Sequence, residues 1–292
     1  MVIGICGGDL RMAELANLAA ARGDRVFVTG FDSGAVFSDR IFLSRDPAVL
    51  SSCDRVILPL PVSRDNEFLF APFAGAPIPL SALWPLLLDV PFVFAGKVEE
   101  SVKKTAAQKG IFLQDYLTRE DFAVANALPT AEGAIQIAME QLRCTLADAP
   151  CLVLGYGRVA MVLSHLLKSL SPRVTVSCRN IGALTLAEAM GNKTIHLPRL
   201  LSHISDFSLI FNTIPARILP ESHLRAMRQD ALILELASAP GGADPALCRK
   251  LGIKLVSCQS LPGKVAPVTG GRIILETTDH MAAEQAEREE RR

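Results

Sequence analysis

Apolar residues along this chain fall into short runs, and between the runs they recur at helical spacing. Met1–Cys6 (MVIGIC) is the first run and ends in Gly7-Gly8-Asp9. Leu10–Ala21 then shows helical periodicity, and Arg25–Thr29 (RVFVT) reads as a second strand. Further strands are predicted at Arg55–Leu58, Pro91–Phe94 and Gly110–Leu113, with a helix at Val98–Gln108. Seven prolines from Pro59 to Pro91 mark that stretch as mostly irregular connection, long for a compact domain and therefore functional or mobile.

The alternation then restarts. Thr130–Leu146 predicts one amphipathic helix, stopped by Asp148-Ala149-Pro150. Cys151–Leu154, Arg173–Ser177, Lys193–His196, Phe207–Asn212, Ala231–Glu235 and Lys254–Val256 are six more strands separated by helices. Pro267–Arg292 closes the chain as a helix whose end, AAEQAEREERR, reads as solvated. Strands alternating with helices predict an α/β protein of two doubly wound parallel-sheet domains. The expected boundaries are 1–130 and 131–266, with the helix 267–292 returning to the first domain. A cleft between two such domains is the default ligand site.

Composition removes several function classes. Thirty basic and thirty acidic side chains cancel, and no basic run offers a footprint for nucleic acid. The apolar runs are broken well before the roughly 18 residues of a membrane span. No charged segment precedes the first strand, so no leader is expected. Seven cysteines without a C-x-x-C pair read as core thiols in a reducing cytosol, with no metal site.

The chemistry gathers at LVLGYGRVAMVL, residues 152–163. Gly155-Tyr156-Gly157-Arg158-Val159 lies where a buried strand must become a helix. Gly155 permits the tight turn, and Gly157 lets backbone amides at the helix start approach a pyrophosphate. Ala160 stands where a third glycine often does. These positions make the second domain a Rossmann dinucleotide-binding domain. Its second strand ends Val176-Ser177-Cys178-Arg179-Asn180, without the carboxylate that reads an NAD ribose. Ser177 and Arg179 can instead take a 2′-phosphate, so NADP is the expected cofactor. Asn212, Thr213, Ile214 and Pro215 at one strand end, and Ala237 and Ser238 at the next, are expected along the nicotinamide side.

Seven segments carry a resemblance: GGDLR (7–11), GFD (30–32), LPTAEGAIQIAM (128–139), LGYGR (154–158), NTIP (212–215), LASAPGG (236–242) and LPGKVAPVTGGRII (261–274). In order and spacing, over essentially the whole chain, they resemble the A-subunit family of dipicolinate synthases. Two departures are mild: Ala160 for a glycine and Glu235 for an aspartate. The resemblance implies oxidation of a dihydrodipicolinate-type ring, derived from 4-hydroxy-tetrahydrodipicolinate, to dipicolinate with hydride transfer to NADP. It further implies that the partner is a flavoprotein-like B subunit and that the setting is the mother-cell cytoplasm of a sporulating bacterium. It leaves room for a homodimer. Two alternatives stay open: an NADP-binding regulatory or scaffold subunit, and an NADP-dependent amino-acid or hydroxy-acid dehydrogenase.

A dicarboxylate calls for cations and helix starts. Gly8, Asp9 and Arg11 form a second strand-to-helix turn, predicted to hold a substrate carboxylate; the alternative is a structural turn in which Arg11 pairs with Asp9. Asn126, Thr130 and Glu132 are placed at the start of the linking helix, as substrate contacts or, for Thr130, an N-cap. Lys264 can pair with a carboxylate or the cofactor phosphates. Thr130, Glu132 or water would take the proton. None of the five histidines falls inside a motif, and His196, at a strand end, reads as structural.

Overall fold

The computed structural model describes residues 1–170 and 173–291. Two compact units emerge: Met1–Asn126 with Pro262–Arg292, and Ala127–Leu261. Each holds a six-stranded, wholly parallel sheet.

The first unit contains β1 (Val2–Cys6), β2 (Arg25–Thr29), β3 (Ile41–Leu43), β4 (Arg55–Ile57), β5 (Phe92–Ala95) and β6 (Leu113–Asp115), in the order β3-β2-β1-β4-β5-β6. Its helices are α1 (Leu10–Ala21), α2 (Leu80–Leu83), α3 (Glu100–Gln108) and α4 (Glu120–Ala125). Alternate residues of β1 serve opposite faces: Ile3 and Ile5 join one core cluster and Cys6 the other. The β3 edge strand carries no periodic signal, because it is three residues long and exposes Phe42 and Leu43. Phe42 packs on Phe27 at 5.3 Å between centroids, with the Arg25 guanidinium over both rings.

The fifth predicted strand shifts toward its C-terminus. Gly110, at φ +81°, and Ile111 close α3 with a paired bond pattern: Gly110 N–H donates to Ala107 and Ile111 N–H to Ala106. Those two residues belong to the helix cap, so β6 starts at Leu113.

In the second unit, β7 (Cys151–Leu154), β8 (Val174–Cys178), β9 (Lys193–His196), β10 (Leu209–Asn212), β11 (Leu232–Glu235) and β12 (Lys254–Ser257) are ordered β12-β11-β10-β7-β8-β9. This is the 3-2-1-4-5-6 order of a dinucleotide-binding sheet, and the first unit repeats it. The helices are α5 (Ala127–Gln141), α6 (Arg158–Leu170), α7 (Ile181–Ala189), α8 (Glu221–Ala226) and α9 (Pro245–Leu251). The helix expected over Thr130–Leu146 is present with shifted bounds, starting three residues earlier and stopping at Gln141, five residues short of Leu146. α4 ends at its C-cap Asn126, and α5 begins at Ala127 with Pro129 in its first turn.

A short helix α10 (Leu261–Val265) leads into α11 (Pro267–Glu290), which packs on α1 within the first unit. A Cβ on Gly271 would lie 2.6 Å from the Arg11 carbonyl oxygen, so only glycine lets the two helix backbones approach this closely. Ile273, Ile274, Leu275, Met281 and Ala282 enter the core below. Asp279 pairs with Arg22 and, at 2.5 Å, with Arg55. Farther along, Glu284 meets Arg119 at 2.8 Å and His280 meets Asp121 at 3.2 Å. Hydrogen bonds from Arg119, and then from His280, hold the Asp121 carboxyl down to about 2. The charged tail is thus docked at Glu284 as well as solvated beyond it.

Candidate functional site

At the end of β7 the chain turns through Gly155 at φ +99°, its N–H donating to the Ser177 carbonyl at 2.8 Å. A Cβ there would lie 2.4 Å from Thr213 Oγ1 and 3.2 Å from Ile214 Cγ1, so β10's exit packs directly on the turn. Thr213 is held in turn by its hydroxyl donating to the Leu154 carbonyl at 2.7 Å. Gly157 differs: among the described residues, a Cβ on it would meet no atom beyond its chain neighbours within 4 Å. Gly157 and Arg158 are exposed at the start of α6, Val159 is half-buried, and Ala160 is packed in the core. The open space above Gly157, beside helix-start amides, fits a pyrophosphate.

Tyr156 points its chemistry inward instead. It packs against the core beneath the turn, where the Asn192 side-chain amide donates to its hydroxyl at 3.5 Å. Burial pushes the phenol up, while Ser164 and Asn192 work against that shift. The Tyr156 side chain therefore anchors the loop from within, leaving its backbone as the part of the residue available at the turn.

Asn212 is also spent internally. It is 0 % exposed; its amide donates to Glu235 Oε1 at 2.6 Å and to the Ile214 carbonyl at 3.0 Å, and its oxygen accepts from Ile214 N–H. Glu235 also accepts from Ala237 N–H at 3.2 Å and Gly242 N–H at 2.7 Å. One buried carboxylate thus shapes both loops at the ends of β10 and β11, leaving Thr213, Ile214, Pro215 and Ser238 partly or fully exposed. Ala237 is buried, its carbonyl taking a bond from Gln259. Asn212 contributes through loop shape, not through a side chain offered to a ligand. Glu235 is the residue the motif pattern undervalued; the available signal was a carboxylate ending an apolar strand (LILE), which must find donors. Glu235→Gln is expected to cost about 1–3 kcal/mol, because an amide N–H2 would face a donor. Chemical denaturation of the variant checks it, and an unchanged midpoint would refute this role.

The end of β8 divides the expected phosphate contacts. Ser177 is 0 % exposed and its hydroxyl has no partner among the described residues, so the structure removes it from any ligand surface. Arg179 is exposed and forms no ion pair among the described residues. His196 Nε2 lies 3.2 Å from the Arg179 carbonyl oxygen, and Asn180 caps α7 by accepting from Ala183 N–H.

The first unit's turn is closed. Gly8 N–H donates to the Phe70 carbonyl at 2.8 Å, and a Cβ on Gly7 would strike Leu69 and Ala71. Asp9 caps α1 and is gripped by Arg11 through Nε at 2.9 Å and Nη2 at 2.8 Å. Nη2 also donates to the Leu60 carbonyl at 2.7 Å, and Arg11 is only 4 % exposed, lying against Gly263 and Gly270. The expectation that Gly8, Asp9 and Arg11 receive a substrate carboxylate is corrected: the anion that Arg11 binds is Asp9, and a chain segment covers the turn.

Among the other candidates, Lys264 is exposed and Asn126 half-buried. Thr130 lies inside α5, three residues past its first, which excludes the N-cap alternative. Glu132 is exposed in a groove of about 650 Å³ with Ile135 and Met139 of α5 and Leu166 and Leu170 of α6. Those α6 residues are its last turns, so Glu132 stands at the end of α6 away from Gly157.

Two sheets of 3-2-1-4-5-6 order, one with an open glycine turn, define a protein of the doubly wound, dinucleotide-binding fold class. An L-alanine dehydrogenase structure shares this fold at TM-score 0.68 and 14% identity, covering 98% of this chain and 90% of its own. Within that class the chain belongs to the A-subunit family of dipicolinate synthases. Residues 2–117 match the family model for the N-terminal domain of the dipicolinate synthase A subunit. The A subunit of the Bacillus subtilis (strain 168) dipicolinate synthase is 31% identical over 290 residues, 98% of this chain and 97% of that protein. A crystal structure of the B. subtilis dipicolinate synthase A chain matches at TM-score 0.86 and 30% identity, over 98% of this chain and 97% of that one.

Proposed function

We propose that this chain is the dehydrogenase subunit of a dipicolinate synthase, oxidising dihydrodipicolinate to dipicolinate with NADP. The observation that carries the nucleotide part is the open space over Gly157 at the head of α6, in a sheet of dinucleotide-binding order. The family supports the substrate. When bound, NADP would supply the hydride acceptor for a ring that becomes aromatic, the matching proton leaving to solvent. The chain's tasks are to bind and orient. Amides at the start of α6 meet the pyrophosphate, and Thr213–Pro215 with Ser238 border the nicotinamide half. Asn126, Thr130 and Lys264 are assigned to the substrate carboxylates. The site acts in the mother-cell cytoplasm beside a B subunit.

Arg179, a cation with no ion pair among the described residues, ends a strand lacking a carboxylate and so supports NADP over NAD. Arg179→Ala is expected to weaken NADPH about ten- to a hundredfold and NADH little, the loss of a charge-assisted contact. Calorimetry with both nucleotides checks this, and equal losses would refute it. For the reaction, NADPH formation is followed with freshly made dihydrodipicolinate synthase product, by this chain alone and with the B subunit. Turnover only in the mixture, abolished solely by changes in B, would make this chain a scaffold instead.

A further inference from the structure

We propose that His196 is a positioning residue that sets cofactor preference by fixing Arg179; the inference rests on the NADP reading above. β8 and β9 end side by side, with Cys178 opposite His196 in register. The chain leaves β8 through Arg179, whose carbonyl oxygen can only accept. His196 Nε2, at 3.2 Å, is therefore the donor, an assignment made from the bonding partner. One residue on, the Asn180 side chain caps α7. Arg179 is thus pinned by a histidine on its own carbonyl and by a helix cap on the next residue.

The guanidinium between these anchors is exposed and forms no ion pair among the described residues. Only its backbone is fixed, and the fixing group comes from the neighbouring strand. The helix cap acts on Asn180, whereas the histidine bond acts on the Arg179 carbonyl itself. Ordering both backbone and side chain on binding subtracts from affinity, and a backbone already fixed at Arg179 avoids the first part of that loss. In a sheet of this order the adenosine half of a dinucleotide lies outside the carboxyl ends of the strands beside the glycine turn. β8 adjoins β7 and β9 adjoins β8. A half-buried histidine ending β9 therefore stands at the position from which an arginine ending β8 can be steadied toward a 2′-phosphate.

The effect must be selective, since NADH lacks the phosphate that Arg179 would grip. Calorimetric titration of wild type, His196→Ala, His196→Gln and Arg179→Ala with NADPH and NADH tests it. His196→Ala is expected to weaken NADPH about five- to tenfold and NADH less than twofold. His196→Gln, whose amide can donate to the same carbonyl, is expected to recover most of the loss. His196→Asn, too short to reach, replaces the alanine variant if that fails to fold. Equal losses for both nucleotides, or unchanged NADPH affinity in a protein where Arg179→Ala remains selective, would overturn the role of His196 alone. Wild type binding NADPH no tighter than NADH would overturn the NADP reading and this inference with it.

Discussion

Asp279→Ala is expected to destabilise the first unit by about 3–5 kcal/mol, the cost of stranding a buried charge. Arg55 lies on a strand flanked by two others, is 2 % exposed, and bonds Asp279 at 2.5 Å through Nη1. Its Nε has no partner among the described residues, and its guanidinium sits 5.7 Å from the Phe94 ring centroid. Without Asp279, that guanidinium has a ring face and no counter-ion in a place water barely reaches. Arg22 shares the carboxylate but is far more exposed, so Arg22→Ala should cost under about 1 kcal/mol. Asp279→Asn, which keeps an acceptor, should fall between. The chain's one tryptophan, Trp84, is buried in the first unit and reports its unfolding specifically. A midpoint for Asp279→Ala within about 0.5 kcal/mol of wild type would refute the argument. Adding Arg55→Met should restore part of the loss, because an apolar side chain needs no partner there.

How much of this could be read from the chain depends on the range of the interaction involved. Strand–helix alternation and the Gly155–Gly157 turn are encoded locally, in runs and punctuation that neighbours in sequence share. Arg11 shows where local reading fails. A strand, two glycines, an acid and an arginine describe an anion site and a self-paired cap equally well. The choice is made by Leu69–Ala71 covering the turn and by Gly263 and Gly270 closing over the guanidinium, residues some sixty and two hundred and sixty positions away. Ser177 and Asn212 fail for the same reason. Both are polar residues at strand ends, but burial by neighbouring strands turns one hydroxyl inward and commits the other side chain to Glu235. Ile41–Leu43 was invisible because an edge strand of three residues, paired on one side, needs no alternating pattern. Element boundaries moved where caps, not periodicity, decided them, as at Gly110 and Asn126.

Gly157→Val is expected to weaken NADPH binding by at least about a hundredfold while leaving the fold intact. The two glycines of the turn make opposite demands. Gly155 is required by the protein itself: its φ of +99° suits no branched side chain, and a Cβ would press into Thr213. Gly155→Ala should therefore lower stability and binding together. Gly157 has neither constraint, since among the described residues no atom beyond its chain neighbours lies within 4 Å of where its Cβ would stand, and its φ is not in the left-handed region. Among the described residues nothing packs where a side chain at Gly157 would go, which is the opening that the proposed pyrophosphate contact requires. A valine at this position would place two methyl groups over the first amides of α6, where the pyrophosphate must approach to within hydrogen-bond distance. Losing two charge-assisted bonds, at roughly 1.5–3 kcal/mol each, gives at least that factor. Calorimetry for binding and thermal melting of both variants separate the two roles. A folded Gly157→Val protein that retained wild-type NADPH affinity would place the pyrophosphate elsewhere, and a Gly155→Ala protein of unchanged stability would show that the turn tolerates the Thr213 contact.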